Sequence, residues 1–174
     1  MNNYASGVLW ITFSFAGVLA LSRLFDHEKE RWGIKGLIMA PMDKICIYLS
    51  KFLIHYSIML LLELAAIFIF IVLFNPNWGI IIIYKIIFVS LIATVGFSAL
   101  GVLVSSMLFN ERLKDLLLPL IFYPIIIPLI IAAVKSTNSI LSEGTIILIP
   151  FMLGFDIIFM VASALLYEFV LEGT

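Results

Sequence analysis

Apolar residues fill the chain in long, nearly uncharged runs, and the charges fall mainly into two short clusters. Five runs are long enough to cross a bilayer, which takes about 20 residues of helix. They cover 5–22, about 46–74, about 80–108, 116–134 and about 145–170. The stretch NPNWG at 75–79 makes a tight turn between the second and third. A helix satisfies its backbone within the segment even in lipid. The pattern therefore predicts an all-α polytopic membrane protein, a bundle of five transmembrane helices in one domain over 1–174.

Composition strengthens that reading. The chain is 64% hydrophobic and 12% charged, whereas a soluble domain runs near half apolar and a quarter charged. Arg23, Asp26, Glu28, Lys29, Glu30, Arg31 and Lys35 crowd one loop, with Asp43, Lys44 and Lys51 close behind; Glu111, Arg112, Lys114 and Asp115 crowd another. Loops rich in Lys and Arg stay in the cytoplasm. Loops 23–45 and 109–115 then lie inside, and 75–79 and 135–144 lie outside. This leaves the N-terminus outside and the C-terminus cytoplasmic. The first run is not a signal peptide, because its basic residues follow the apolar stretch instead of preceding it.

Several chemistries are excluded. Net charge is −1 and no soluble segment carries a basic stripe, which argues against nucleic acid. Cys46 is the single cysteine, so no intrachain disulfide forms. One cysteine with the separated His27 and His55 gives no metal cluster. There is no GxxxxGK[ST] stretch for ATP phosphates and no CxxCH for covalent haem. No nucleophile–base constellation appears either, so the chain is not read as an enzyme and takes no cofactor of its own.

A few residues stand out against the apolar background. Pro119, Pro124 and Pro128 share the fourth run and would free the carbonyls of Asp115, Leu120 and Pro124. Such defects persist where neighbouring helices or a cavity satisfy the backbone, so a bent or broken helix buried in a bundle is expected. In the third run Ser98, Gly101 and Ser105 share a face that lets another helix approach closely, and Ser14 with Gly17 does the same in the first. Glu63 and Asp156 sit at matching depth, about 16 Å from the outer ends of their spans. Each should face the bundle interior, and the two could share a polar pocket. Lone His55 reads better as a packing histidine than as an axial haem ligand. Lys85 should snorkel to the outer surface, and Trp10, Trp32 and Trp78 should anchor at interfaces.

Loop 23–45 has a pattern of its own. Asp26 is a helix N-cap, Pro41 is a stop, and Ile34, Leu37 and Ile38 fall at i, i+3, i+4. This short amphipathic helix either lies on anionic headgroups or docks on a soluble partner.

Three blocks resemble a known family, the haem exporter protein B (CcmB) family. They are GVLWITFSFAGVLALSRLFDHEKERWGIKGLIMAPMDKICIYLSK at 7–51, NERLKDLLLPLIFYPIIIPLIIAA at 110–133, and LGFDIIF with LLYEFVLE near the end. The resemblance covers nearly the whole chain. It implies an ABC-2-type permease, the multi-pass inner-membrane subunit of the cytochrome c maturation ABC transporter of bacteria. Its partners would be a separate ABC ATPase, a haem-handling membrane subunit and, indirectly, a haem chaperone, besides the membrane lipids. The ATPase contact would use Glu28, Glu30, Leu37, Pro41 and Lys51, to which the amphipathic pattern adds Arg31, Ile34 and Ile38. Hydrolysis by the partner would drive haem export or release of the haem chaperone. Export of a glycan, lipid or drug, and a non-transporting scaffold for the ATPase, are the alternatives. The family usually has six spans, and this chain begins at what resembles the second, without the family's first helix.

Overall fold

The computed structural model of the chain describes residues 2–24, 44–74, 78–109 and 111–172. They form five α-helices, α1 (Asn2–Arg23), α2 (Lys44–Phe74), α3 (Ile80–Met107), α4 (Lys114–Glu143) and α5 (Ile149–Glu172). No strand occurs among the described residues. All five helices are long and apolar enough to span a membrane.

Small residues decide which helix sits in the middle. From Gly96 to Ser106 every residue of α3 is buried, so this half is covered on all sides. The other four helices ring it: α1 packs on α2 and α4, α5 packs on α2 and α4, and α3 touches all of them. The predicted small face does what its spacing requires. A Cβ at Gly101 would lie 2.5 Å from the Leu21 side chain, so a larger residue there would displace Leu21. One turn on, Ser105 donates to the Leu21 carbonyl at 2.9 Å. Close approach and an interhelical hydrogen bond together fix α1 on α3.

The fourth helix departs from expectation in two ways. It runs on to Glu143, through the stretch 135–144 expected to be an outer loop. Its polar residues find partners there that a loop was expected to find in water. Thr137 accepts from the Trp10 indole at 3.0 Å, Ser136 donates to the Ile147 carbonyl, and Ser139 pairs with Thr145 at 2.9 Å. The helix ends at Gly144, whose φ of 69° is left-handed. Of the two forms expected at the three prolines, bent or broken, the broken one does not occur, since α4 is continuous through all of them. Its core stripe runs Leu118, Phe122, Ile126, Leu129, Ala133. Pro124 and Pro128 lie two residues off that stripe, about 200° round the helix, and face outward. Packing of α4 is carried by the opposite face.

Lysines hold the ends of two helices. Lys114 donates to the Ser22 carbonyl at the end of α1, at 3.0 Å, and Lys85 donates to the Gly144 carbonyl at the end of α4. A cation at a helix C-terminus meets both free carbonyls and the negative end of the dipole. Lys85 thus caps a helix instead of only reaching for the surface.

Candidate functional site

Two regions carry the polar chemistry: the end of the bundle where the basic residues gather, and a seam of hydroxyls inside it. At the basic end lie Arg23 closing α1, Lys44 opening α2, and Lys114 opening α4. Lys44 also reaches Glu168 of α5 at 3.9 Å across the surface, a contact worth little at such exposure. Of the residues expected to meet an ATPase, Glu28, Glu30, Arg31, Ile34, Leu37, Ile38 and Pro41 lie outside the described residues, as do His27 and Trp32. Lys51 is described and sits buried on α2. Both ends of the connecting segment rest on the bundle. α1 and α2 pack together, and Lys114 ties the last turn of α1 to α4.

The seam runs along α3 through Ser90, Thr94, Ser98 and Ser105, all buried. Their spacing of four, four and seven keeps them on one stripe facing α1 and α2. Thr94, Ser98 and Ser105 each meet a different neighbour. Ser98 lies 2.9 Å from His55 Nδ1, and His55 Nε2 lies 3.3 Å from the Gly17 carbonyl. A carbonyl only accepts, so Nε2 carries the proton and Nδ1 accepts from Ser98. The ring also stacks on Phe97 with an interplanar angle of 6°. Both nitrogens are engaged and the side chain is fully buried, which leaves no lone pair for an axial ligand. His55 is a packing histidine.

Glu63 is buried on α2, and Thr94 lies 2.5 Å from its Oε1. Asp156 is buried on α5 and its carboxyl rests on Gly96 of α3, where a Cβ would collide with Oδ1. Thr94 and Gly96 are two residues apart, so the carboxyls differ in depth by about 3 Å. Two residues along a helix also turn it by about 200°, so the two acids rest on different sides of α3. Tyr56 of α2 lies within electrostatic reach of both.

Trp10 is corrected from interfacial anchor to buried strut, because its indole N–H bonds Thr137 across α1 and α4. Trp78 stacks on Phe70 at 5.3 Å. Thr94, Ser90 and Thr137 were missed from the sequence. A buried carboxylate needs a donor at its own depth, and that requirement alone singles out Thr94 on the facing helix.

Two small cavities lie beside Glu63. One of about 10 Å³ lies between Trp10, Ser14, Glu63 and Thr94, and one of about 60 Å³ between Leu60, Glu63, Ile87 and Ser90. A larger groove of about 340 Å³ opens between α1 and α4, lined mainly by apolar side chains. Among the described residues no group of three His, Cys, Asp or Glu could hold a metal ion.

Neither the curated proteins nor the solved structures compared with the chain include a match. One family, described as CcmB protein, matches residues 1–172. With five spanning helices and that match over nearly its whole length, the chain belongs to the CcmB family of membrane permeases.

Proposed function

We propose that this protein is the membrane subunit of an ABC transporter for cytochrome c biogenesis, of the ABC-2 type, in the bacterial inner membrane. The family match over residues 1–172 carries the reading. A separate ATPase docks on the 23–45 loop through Ile34, Leu37 and Ile38, with Glu28, Glu30, Arg31, Pro41 and Lys51 around them. A hydrolysing partner moves spans only through differential contacts with an element fixed to them. Both ends of this loop are so fixed, by α1–α2 packing and by Lys114 on the Ser22 carbonyl. Loops 23–45 and 109–115 face the cytoplasm, as does the C-terminus. ATP hydrolysis belongs to the partner, and a haem-handling subunit and haem chaperone receive the work.

A second reading is a scaffold that couples the ATPase without itself passing haem. The two cavities beside Glu63, of about 10 and 60 Å³, fall below the roughly 300–1,000 Å³ of ordinary ligand pockets, whereas the groove of about 340 Å³ between α1 and α4 does not. Complementation separates these roles from export of another substrate. Expressed in a bacterium lacking its own permease subunit, the chain should restore holocytochrome c. Restored ATPase recruitment with no holocytochrome c would point to a different cargo.

A further inference from the structure

Glu63 is the acid that the permease reading leaves without a task. It is 2% exposed in the middle of α2, and the side chains facing it are Ser90 and Thr94 of α3, 2% and 1% exposed. From α1 it meets Trp10, Phe13 and Ser14, none of which titrates. No cation pairs with it among the described residues. Asp156 and Tyr56 are the titratable groups in its neighbourhood, the first beyond α3 and the second on its own helix. A carboxyl so placed needs a specific device to be tolerated in either protonation form.

The device is the Thr94 hydroxyl. Its oxygen lies 2.5 Å from Glu63 Oε1 and 2.7 Å from the Ser90 carbonyl oxygen one turn back. A hydroxyl has one proton to donate and lone pairs to accept with, so only one of these contacts takes the Thr94 proton at a time. When Glu63 is a carboxylate, Thr94 donates to Oε1 in a charge-assisted bond. When Glu63 is a carboxylic acid with its proton on Oε1, it donates to the Thr94 oxygen. The hydroxyl then turns to donate to the Ser90 carbonyl. One bond rotation converts one arrangement into the other, and neither leaves Oε1 or Thr94 without a partner.

The second oxygen supplies an independent observation. Glu63 Oε2 and the Ser90 hydroxyl are both buried without a hydrogen-bond partner, although groups so placed cost stability. Both line the cavity of about 60 Å³ between α2 and α3, and Glu63 also lines the cavity of about 10 Å³ on the α1 side. A water needs about 10–15 Å³ and polar partners. The first cavity has room for water beside two unsatisfied oxygens, and the second is close to that size. A water held there would bond Glu63 Oε2 and the Ser90 hydroxyl and give the carboxyl a proton-exchange partner inside the bundle.

We propose that Glu63, Thr94 and Ser90 form a reversible proton-binding site in the membrane core of this protein. The proton adds to the Glu63 carboxylate and leaves from the same oxygen, with the Thr94 hydroxyl switching its acceptor at each step. The site stands independently of the role in cytochrome c biogenesis, because it rests on the bundle interior and not on the loop.

Infrared difference spectra of the full-length chain in lipid nanodiscs, acidic minus alkaline, test this directly. The wild type should show a protonated-carboxyl carbonyl band that Glu63→Gln abolishes and Asp156→Asn retains. Thr94→Val leaves the acid without its acceptor, so the band should persist at a shifted frequency. That variant carries the test if Glu63→Gln fails to fold. A pH-difference band unchanged by both Glu63→Gln and Thr94→Val would overturn the proposal. So would the absence of any carboxyl band in the wild-type difference spectrum.

Discussion

His55, Glu63 and Asp156 show how a lipid-embedded helix accommodates polar side chains, each by a different means. His55 engages both ring nitrogens, one with a hydroxyl and one with a carbonyl. Glu63 has a threonine hydroxyl. Asp156 relies on a missing side chain, since its carboxyl occupies the space that a Cβ at Gly96 would need. That Cβ would also lie 3.0 Å from Leu129 and 3.2 Å from Phe155, so both neighbours as well as the acid must shift to admit it. Gly96→Ala should therefore lower the thermal midpoint of the purified protein by an overpacking cost of about 1–3 kcal/mol. Shortening Asp156 to Ala in the same chain should recover part of the loss. A Gly96→Ala midpoint equal to wild type would show that the acid does not rest there. The sequence marks all three residues as buried, because ionisable groups inside apolar runs must turn inward. Their partners are another matter. Depth follows from counting along a helix, but lateral neighbours depend on how α3 is rotated against α2 and α5, which no single run encodes.

Among the elements, α3 and α4 divide the work of building the bundle. The first is buried by its small residues and hydroxyls, and Ser98, Gly101 and Ser105 are legible as a contact face from spacing alone. The fourth helix was harder to read. Lys135, Ser136, Thr137, Asn138 and Ser139 look like a loop because they are polar in a row, yet Trp10, Thr145 and the Ile147 carbonyl satisfy most of them. Prolines 119, 124 and 128 look like breaks, yet each removes a single hydrogen bond from a helix of 30 residues. Pro124 faces outward, so its replacement disturbs no core contact. Pro124→Ala restores an amide donor for the Leu120 carbonyl, at a position where proline is disfavoured by about 3 kcal/mol. Thermal unfolding should show Pro124→Ala at least as stable as wild type, whereas Phe122→Ala on the core stripe should lose about 3–5 kcal/mol. A Pro124→Ala protein less stable than wild type would mean that the ring packs against something.

At the scale of the whole molecule, the bundle gathers its loop ends at two faces, and the described charges are mostly at one. Arg23, Lys44, Lys51, Arg112 and Lys114 lie at or near the end where α1, α3 and α5 finish. By the positive-inside rule we propose that this end faces the cytoplasm. Single cysteines at Asn77 and Ser142 should then react with an impermeant maleimide from outside, in a Cys46→Ser background. Cysteines at Lys35 and Arg112 should react only after permeabilisation. Ser142 is the useful outer probe because Ser139 is buried against Thr145. Labelling of Ser142 and Arg112 from the same side would contradict α4 as a span.

The central claim is that loop 23–45 is where a separate ATPase takes hold of the membrane helices. Central apolar anchors carry most of the energy of such contacts, and rim charges set register and salt dependence. The decisive measurement is co-purification of the ATPase with the membrane-embedded chain, wild type against Leu37→Asp and Glu30→Ala. Leu37→Asp would bury an unpaired charge among the anchors and should abolish recruitment. Glu30→Ala should weaken it in a way that added salt reproduces in the wild type. If Leu37→Asp retains the ATPase as well as the wild type does, this segment does not hold the ATPase and the coupling account is wrong.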